Sequence, residues 1–350
     1  MSASGRGGTR SLEFDADVVV VGAGPCGLAA AIAIERAGWR AVIIEASCVV
    51  SSIAGYPTYL TFFSTAERIE IGGMPFVVAT EKPTRRDALA YYREVVERQG
   101  LVVRQYERVE HIEAGREGFV IHSRSRTQEP RRTAARAVVI ATGYFDSPNY
   151  LGVPGEDLPH VTHRYREGHE AFMRDAVVVG GKNSAAEAAL DLYRSGARVT
   201  MVYHGEGLSP SVKPWVAPDL QNRITEGHIA TRWRSRVVGI EPSAVVLETP
   251  HGPERLPADH VYLLTGYTPE HELLRAIGAT VDSGTGIPVH DPATMETDIP
   301  GVFIAGVISA GNDANKVFIE NGRGHGELIA RRLTTMWSDP AASHEAHAGR

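Results

Sequence analysis

The sequence predicts an α/β fold built on two Rossmann-like dinucleotide-binding domains, the second inserted into the first. Three observations carry this. A strand, glycine turn, helix and second strand follow one another twice; each copy leads on to an apolar strand ending in Thr-Gly; and one more strand and helix come after the second copy. At 350 residues the chain has room for two domains of ordinary size.

In the first copy, Asp17 to Val21 is a Val-rich strand, Gly22 to Gly27 a turn, and Leu28 to Ala37 an alanine-rich helix stopped by Gly38; Arg40 to Ile44 is the next strand. The turn Gly22-Ala23-Gly24-Pro25-Cys26-Gly27 is a complete GxGxxG. Gly22 permits the tight turn, Gly24 lets the backbone approach a pyrophosphate, and Gly27 lets helix and strand pack closely. The helix start adds N–H donors and a positive dipole end. Glu45 stands 23 residues after Gly22, where a carboxylate accepts hydrogen bonds from a ribose diol.

The second copy runs from Ala176 to Val179, through Gly180 to Ala185, into a helix from Ala186 to Arg194 stopped near Gly196, then Arg198 to Tyr203. Its turn, Gly180-Gly181-Lys182-Asn183-Ser184-Ala185, places Lys182 where the middle glycine of the pattern stands. A lysine there either crowds the cofactor or lays its ammonium beside the phosphates; the surviving strand and helix favour a working site. After the following strand come Val202-Tyr203-His204, with no acid to hold a ribose diol, so NADPH is preferred over NADH. His204 and Lys213 are the candidate partners of the 2'-phosphate, beside Tyr203.

The strands Ala137 to Ile140 and Val261 to Leu264 end in Thr142-Gly143 and Thr265-Gly266, where a larger side chain would obstruct a bound dinucleotide. Ile299 to Gly306 reads as a strand into glycine, and Lys316 to Leu333 as a helix with apolar spacing at Val317, Phe318, Ile319, Leu328 and Ile329. These close the first domain. The expected organisation is a disordered tail over 1–13, a first cofactor domain over 14–168 and 269–337, an inserted nicotinamide domain over 169–268, and a disordered tail over 338–350. His344 and His347 in that tail receive no role.

Composition narrows the function. Lys plus Arg number 36 against 42 Asp plus Glu, a net charge of -6, which gives no basic field for nucleic acid or anionic lipid. The two cysteines, Cys26 and Cys48, build neither a disulfide scaffold, a thiolate zinc site, an iron-sulfur cluster nor a CxxC pair. No apolar run reaches the roughly 20 residues that span a bilayer, and the first ten residues lack a secretory h-region; a cytoplasmic protein is expected. No nucleophile elbow and no HExxH occur, so hydrolase and metalloenzyme readings have little support. Tyr56, Tyr59, Phe62 and Phe63 either line a pocket or belong to the core.

The GxGPxG turn with Glu45, the Ala141-Thr142-Gly143 and Thr265-Gly266-Tyr267 segments and the closing Gly301 to Gly306 stretch together resemble the two-dinucleotide-domain flavoproteins that include thioredoxin reductase. More specifically, the chain is similar to the bacillithiol disulfide reductase (YpdA-type) family. Carrying segments include Gly24 to Gly27, Tyr56-Pro57-Thr58, Thr61 to Ser64, Tyr91 to Val96, Asn183-Ser184-Ala185, Ser209 to Trp215, Met295-Glu296-Thr297 and Ile304 to Asn312. They spread from about Asp17 to Leu333.

The resemblance implies an FAD enzyme that takes hydride from NADPH and reduces the disulfide of a low-molecular-weight thiol. It matches Gly22, Gly24, Gly27 and Glu45 to the FAD turn and ribose acid, and Gly180, Asn183, Ser184 and Ala185 to the NADPH turn; Pro25, Thr142, Gly143 and Lys182 are cofactor-site candidates from their places in the turns and strand ends. Cys26 takes the position of the family's proposed redox cysteine, in a first helical turn where the dipole favours thiolate; the competing reading is a small buried residue. Cys48 matches no family position. Where thioredoxin reductases carry Gly-Asp, this chain has Gly306-Val307, so ribitol contacts are expected from Asn312 or Lys316. Without a CxxC, electrons reach the substrate through a Cys26 mixed disulfide or from the flavin itself. The rival expectations are a ferredoxin- or flavodoxin-NADP reductase of the same fold and a flavin-binding redox sensor or scaffold. No separate dimerisation domain fits in the chain, so any homo-oligomer must use the FAD domain's own surface.

Overall fold

A computed structural model describes residues 13–313 and 316–337. The tails expected to be disordered, apart from Glu13, and with them His344 and His347, lie outside the described residues.

Two parallel-sheet units are present, as the repeated pattern predicts. In the first, β1 (Ala16–Val21), β2 (Ala41–Ile44), β3 (Val102–Arg104), β4 (Glu107–Ala114), β5 (Phe119–Ser125) and β6 (Pro130–Ile140) lie in the order β3-β2-β1-β6-β5-β4. The β3-β2-β1-β6 portion is parallel, while β4, β5 and the start of β6 form an antiparallel meander. Every residue of β1 is buried, as expected of a parallel strand covered on both faces: its four valines form the apolar run, and the buried Asp17 accepts from the Arg40 N–H at 2.8 Å.

The second unit holds β7 (Val161–Thr162), β8 (Asp175–Val179), β9 (Arg198–Val202), β10 (Ile229–Arg232) and, after a three-stranded antiparallel sheet, β14 (His260–Leu263). These five are parallel in the order β10-β9-β8-β14-β7. The antiparallel sheet comprises β11 (Arg236–Glu241), β12 (Ala244–Thr249) and β13 (Gly252–Pro257). Because β7 pairs with β14, the chain has joined the second sheet before residue 168, ahead of the expected boundary.

After β14 the chain returns. β15 (Val302–Ile304) pairs in parallel with β6, and the helix His325–Met336 packs along the helix Pro25–Arg36. Gly326 permits that contact, since a Cβ there would stand 2.6 Å from the Cα of Ala30. The insertion topology is therefore as predicted. The helix expected over Lys316 to Leu333 is instead two pieces, Ile319–Gly322 and His325–Met336, with Val317 and Phe318 outside both. Gly322 and Gly324 weaken helix continuity there, and the Asn321 side chain accepts from the Phe318 N–H and donates to the Lys316 carbonyl, starting a separate short turn.

The helix Arg85–Gln99, which the repeated pattern does not announce, is fixed by a capping box of Thr84 and Asp87. It buries Tyr91 and Tyr92 against the first core, and the Tyr92 hydroxyl donates to the Ile69 carbonyl at 2.7 Å.

Candidate functional site: two uncapped helix starts

Both glycine turns carry a strand's carboxyl end into a helix start. Gly24 is the N-cap of the helix Pro25–Arg36, and Lys182 is the N-cap of the helix Asn183–Arg194; neither start has a side-chain cap. Their leading N–H groups are thus left for a ligand, at the end of the dipole that attracts anions.

The first turn divides its glycines between packing and access. A Cβ on Gly22 would lie 2.5 Å from the Ala141 carbonyl oxygen, and one on Gly27 would run into the carbonyl of Gly22. Gly24 and Gly143, by contrast, have open space where a Cβ would point. That open cradle, bounded by an uncapped helix start, fits an FAD pyrophosphate. Glu45, buried at the end of β2, accepts from the Ala23 and Ser47 N–H groups, each at 2.7 Å. Burial raises its pKa, and these backbone donors pull the other way. Its carboxylate therefore ties the turn to the loop after β2. Thr142 is exposed at the edge of this cradle.

Cys26 lies between the first helix start and the closing segment, next to Gly306 and Gly322. Its Sγ would be 2.8 Å from a Cβ on Gly322 and 3.2 Å from one on Gly306, so both glycines make room for it. The residue keeps partial exposure, yet the thiol is enclosed and burial pushes its pKa up to about 12. The sequence leaves two readings of Cys26 open, a thiolate favoured by the helix dipole and a small buried residue. Burial of this kind favours the protonated thiol, the direction of the small-buried-residue reading.

The second turn is built in the same way. A Cβ on Gly180 would meet the Leu264 carbonyl oxygen at 2.5 Å, and Gly181 makes room for the Tyr203 ring. Ala185 is buried in the second core, while Lys182 and Ser184 are exposed at the helix start. The Asn183 carboxamide accepts from the Lys213 N–H at 2.9 Å and donates to the Ser211 carbonyl at 3.1 Å, fastening the 211–213 loop to the turn. His204 is exposed, its ring 4.4 Å from that of Tyr203.

Two residues that sequence reasoning missed stand beside His204. Arg234, at φ 53°, donates its N–H to the Gly205 carbonyl, and Ser235 donates to the Tyr203 carbonyl. The Arg234 guanidinium is paired with Glu206 at 2.7 Å. Arg234 follows β10, some thirty residues along the chain from Tyr203, so only strand pairing brings it here. Lys213 makes no described hydrogen bond, ion pair or ring contact with Tyr203 or His204; its ammonium lies over Phe63, 5.3 Å from the ring centre.

Around the closing segment, the Gly306 N–H donates to His325 Nδ1 at 3.2 Å, and burial lowers the pKa of that imidazole. No sequence motif marks His325. Asn312 donates its amide to the Gly284 carbonyl, and Lys316 pairs with Asp313 at 3.4 Å. The four aromatic candidates divide. Tyr56 and Phe62 pack on the first core, whereas Tyr59 and Phe63 are exposed. Tyr56 also meets Phe145 edge-on at 5.0 Å, and Phe145 stacks on Tyr267 at 4.6 Å where the chain re-enters the first domain.

Two parallel sheets, each ending in a glycine turn and an uncapped helix start, with the second inserted between parts of the first, define a two-domain nucleotide-linked flavoprotein oxidoreductase. A family profile described as pyridine nucleotide-disulphide oxidoreductase matches residues 19–306. The chain belongs to that family. It is 46% identical over 319 residues to the bacilliredoxin reductase Bdr of Bacillus subtilis, covering 90% of this chain and 96% of the relative. Among solved structures, bacillithiol disulfide reductase Bdr (YpdA) from Bacillus cereus superimposes with a TM-score of 0.90 at 43% identity, covering 92% of this chain and 99% of that one. The Staphylococcus aureus counterpart gives 0.87 at 39%, covering 93% and 100%. The expected resemblance, fold class and cofactor classes hold, and these relatives do not favour the ferredoxin reductase or scaffold readings. Among the described residues no helix is long and apolar enough to cross a membrane, and no group of three or more His, Cys, Asp or Glu could hold a metal ion.

Proposed function

We propose that this chain is an FAD-dependent reductase that uses NADPH to reduce bacillithiol disulfide, or a closely similar low-molecular-weight disulfide, in thiol redox homeostasis. The observation that carries the substrate class is near-full-length similarity to bacillithiol disulfide reductases. The two open helix starts supply the geometry such an enzyme needs. FAD held by the Gly22–Gly27 turn would supply two-electron redox chemistry between nicotinamide and disulfide.

The chain's own contributions are binding and orientation. Gly22, Gly24, Pro25, Gly27, Thr142 and Gly143 shape the FAD pyrophosphate cradle, and Glu45 takes the ribose. Gly180, Lys182, Asn183, Ser184 and Ala185 shape the NADPH turn. Tyr203, His204 and Arg234 receive the 2'-phosphate, with Arg234 exchanging Glu206 for the stronger anion. Cys26, protonated at neutral pH, serves as packing between Gly306 and Gly322 and not as a nucleophile. A cytoplasmic setting follows, since that is where such a thiol pool is kept reduced.

The test is to purify the protein and follow anaerobic NADPH oxidation with bacillithiol disulfide or ferredoxin as acceptor. A yellow protein bleached by NADPH and reoxidised by the disulfide is expected. A protein that reduces ferredoxin faster and leaves the disulfide intact would overturn the reading.

A further inference from the structure

Lysine is scarce in this chain: Lys82, Lys182, Lys213 and Lys316 are the four, in a Lys-plus-Arg total of 36. Two of them converge on one indole. Lys82 lies 5.6 Å and Lys213 5.9 Å from the centre of Trp215, and Lys213 also lies over Phe63. Phe63 and Trp215 meet edge-on at 5.6 Å, and both are exposed.

The halves of this cluster come from different domains, each held by its own backbone. The Phe62 N–H donates to the Pro83 carbonyl and the Arg85 N–H to the Leu60 carbonyl, which fixes the Lys82 loop beside Phe63. Asn183 fixes Lys213 on the other side. The cluster therefore joins the two domains, with Lys213 held next to the second helix start by Asn183. Neither ammonium has a carboxylate within ion-pair distance among the described residues; Glu187 feels the charge of Lys213 from farther off. Two ammonium groups beside one indole ring concentrate positive charge there, and an anion bound at the ring is attracted by both.

We propose that Lys82 and Lys213, with Phe63 and Trp215 between them, form the docking site for the anionic, carboxylate-bearing arm of the disulfide substrate. This rests on the disulfide reductase reading. The ammonium groups take the carboxylates, the aromatic rings take the carbon frame, and the disulfide is left free. Bacillithiol, whose malyl group carries two carboxylates, has the required charge.

The test compares wild type with Lys82→Met and Lys82→Arg. KM is measured for bacillithiol disulfide, for uncharged hydroxyethyl disulfide and for NADPH. Lys82→Met should raise KM for bacillithiol disulfide about tenfold, the worth of one charge-assisted contact at a part-exposed site. KM for the uncharged disulfide and for NADPH should stay unchanged, and Lys82→Arg should recover most of the loss. Equal effects on both disulfides, no effect on either, or a raised NADPH KM would each overturn the proposal. Quenching of Trp215 fluorescence by bacillithiol disulfide, assigned with Trp215→Phe, reads binding without turnover. If wild type reduces no disulfide yet shows quenching that Lys82→Met abolishes, the docking site stands and the catalytic reading fails.

Discussion

Replacing Gly24 by alanine should strip the flavin while leaving the apoprotein intact, and replacing Gly27 should do damage of another kind. Gly24 has φ -69° and ψ 169°, extended values open to any residue, and a Cβ there meets nothing within 4 Å. The cost to the apoprotein is therefore a lost N-cap preference of about 0.7 kcal/mol. The new methyl group, however, fills the space that the pyrophosphate approaches. Losing even one charge-assisted bond from the helix start costs about 1.5–3 kcal/mol, which is at least about tenfold in FAD affinity. At Gly27 the Cβ would collide with the Gly22 carbonyl and lie 3.3 Å from the Ala141 side chain. Helix propensity would return about 1 kcal/mol, but prising the helix from its turn costs about 1–3 kcal/mol or more, so the net effect is loss of stability. The assay is flavin-to-protein absorbance after gel filtration, FAD titration of the apoprotein, and thermal unfolding of the apo forms. A Gly24→Ala protein that keeps a full complement of FAD, or melts as early as Gly27→Ala, would refute the division between access and packing.

Folded protein at pH 8 should resist alkylation by iodoacetamide at Cys26, because a thiol with a pKa about 12 is thiolate in only about one molecule in ten thousand; peptide mass mapping should show it labelled only in denaturant. The same shift makes stability pH-dependent: the contribution is complete below the ordinary value of 9.0 and is lost as pH rises towards about 12, so Cys26→Ala should flatten alkaline unfolding over that window. Gly322→Ala would place its Cβ 2.8 Å from Cys26 Sγ; denaturant melts should show a loss of about 1–3 kcal/mol, part of it recovered in the double variant with Cys26→Ala, and strict additivity would deny the contact. Arg234→Gln should weaken NADPH binding about tenfold with NADH unchanged, whereas Glu206→Gln should tighten NADPH; direct titration of both nucleotides decides, and an equal loss for both would remove Arg234 from the 2'-phosphate site.

Much of this protein is written locally. Strand, glycine turn and helix follow one another within some thirty residues in each copy, so the all-buried β1, the roles of Gly22 and Gly27, the position of Glu45 and the return of the chain through β15 could be read before any coordinates. The single long helix over Lys316 to Leu333 could not, because apolar spacing carries through a pair of glycines that the backbone uses to turn. Distance along the chain hid the rest. Arg234 reaches His204 only because β10 lies beside β9, and Lys82 reaches Trp215 only because two domains close on each other. The protonation of Cys26 was hidden for another reason: position in a helix gives the sign of the dipole, but desolvation depends on what Gly306 and Gly322, brought from the far end of the sequence, leave around the sulfur. Sequence thus determined the two nucleotide frames, whose hydrogen bonds and packing are mostly local. Tertiary structure decided the electrostatics inside them, which depend on every group that folding brings near.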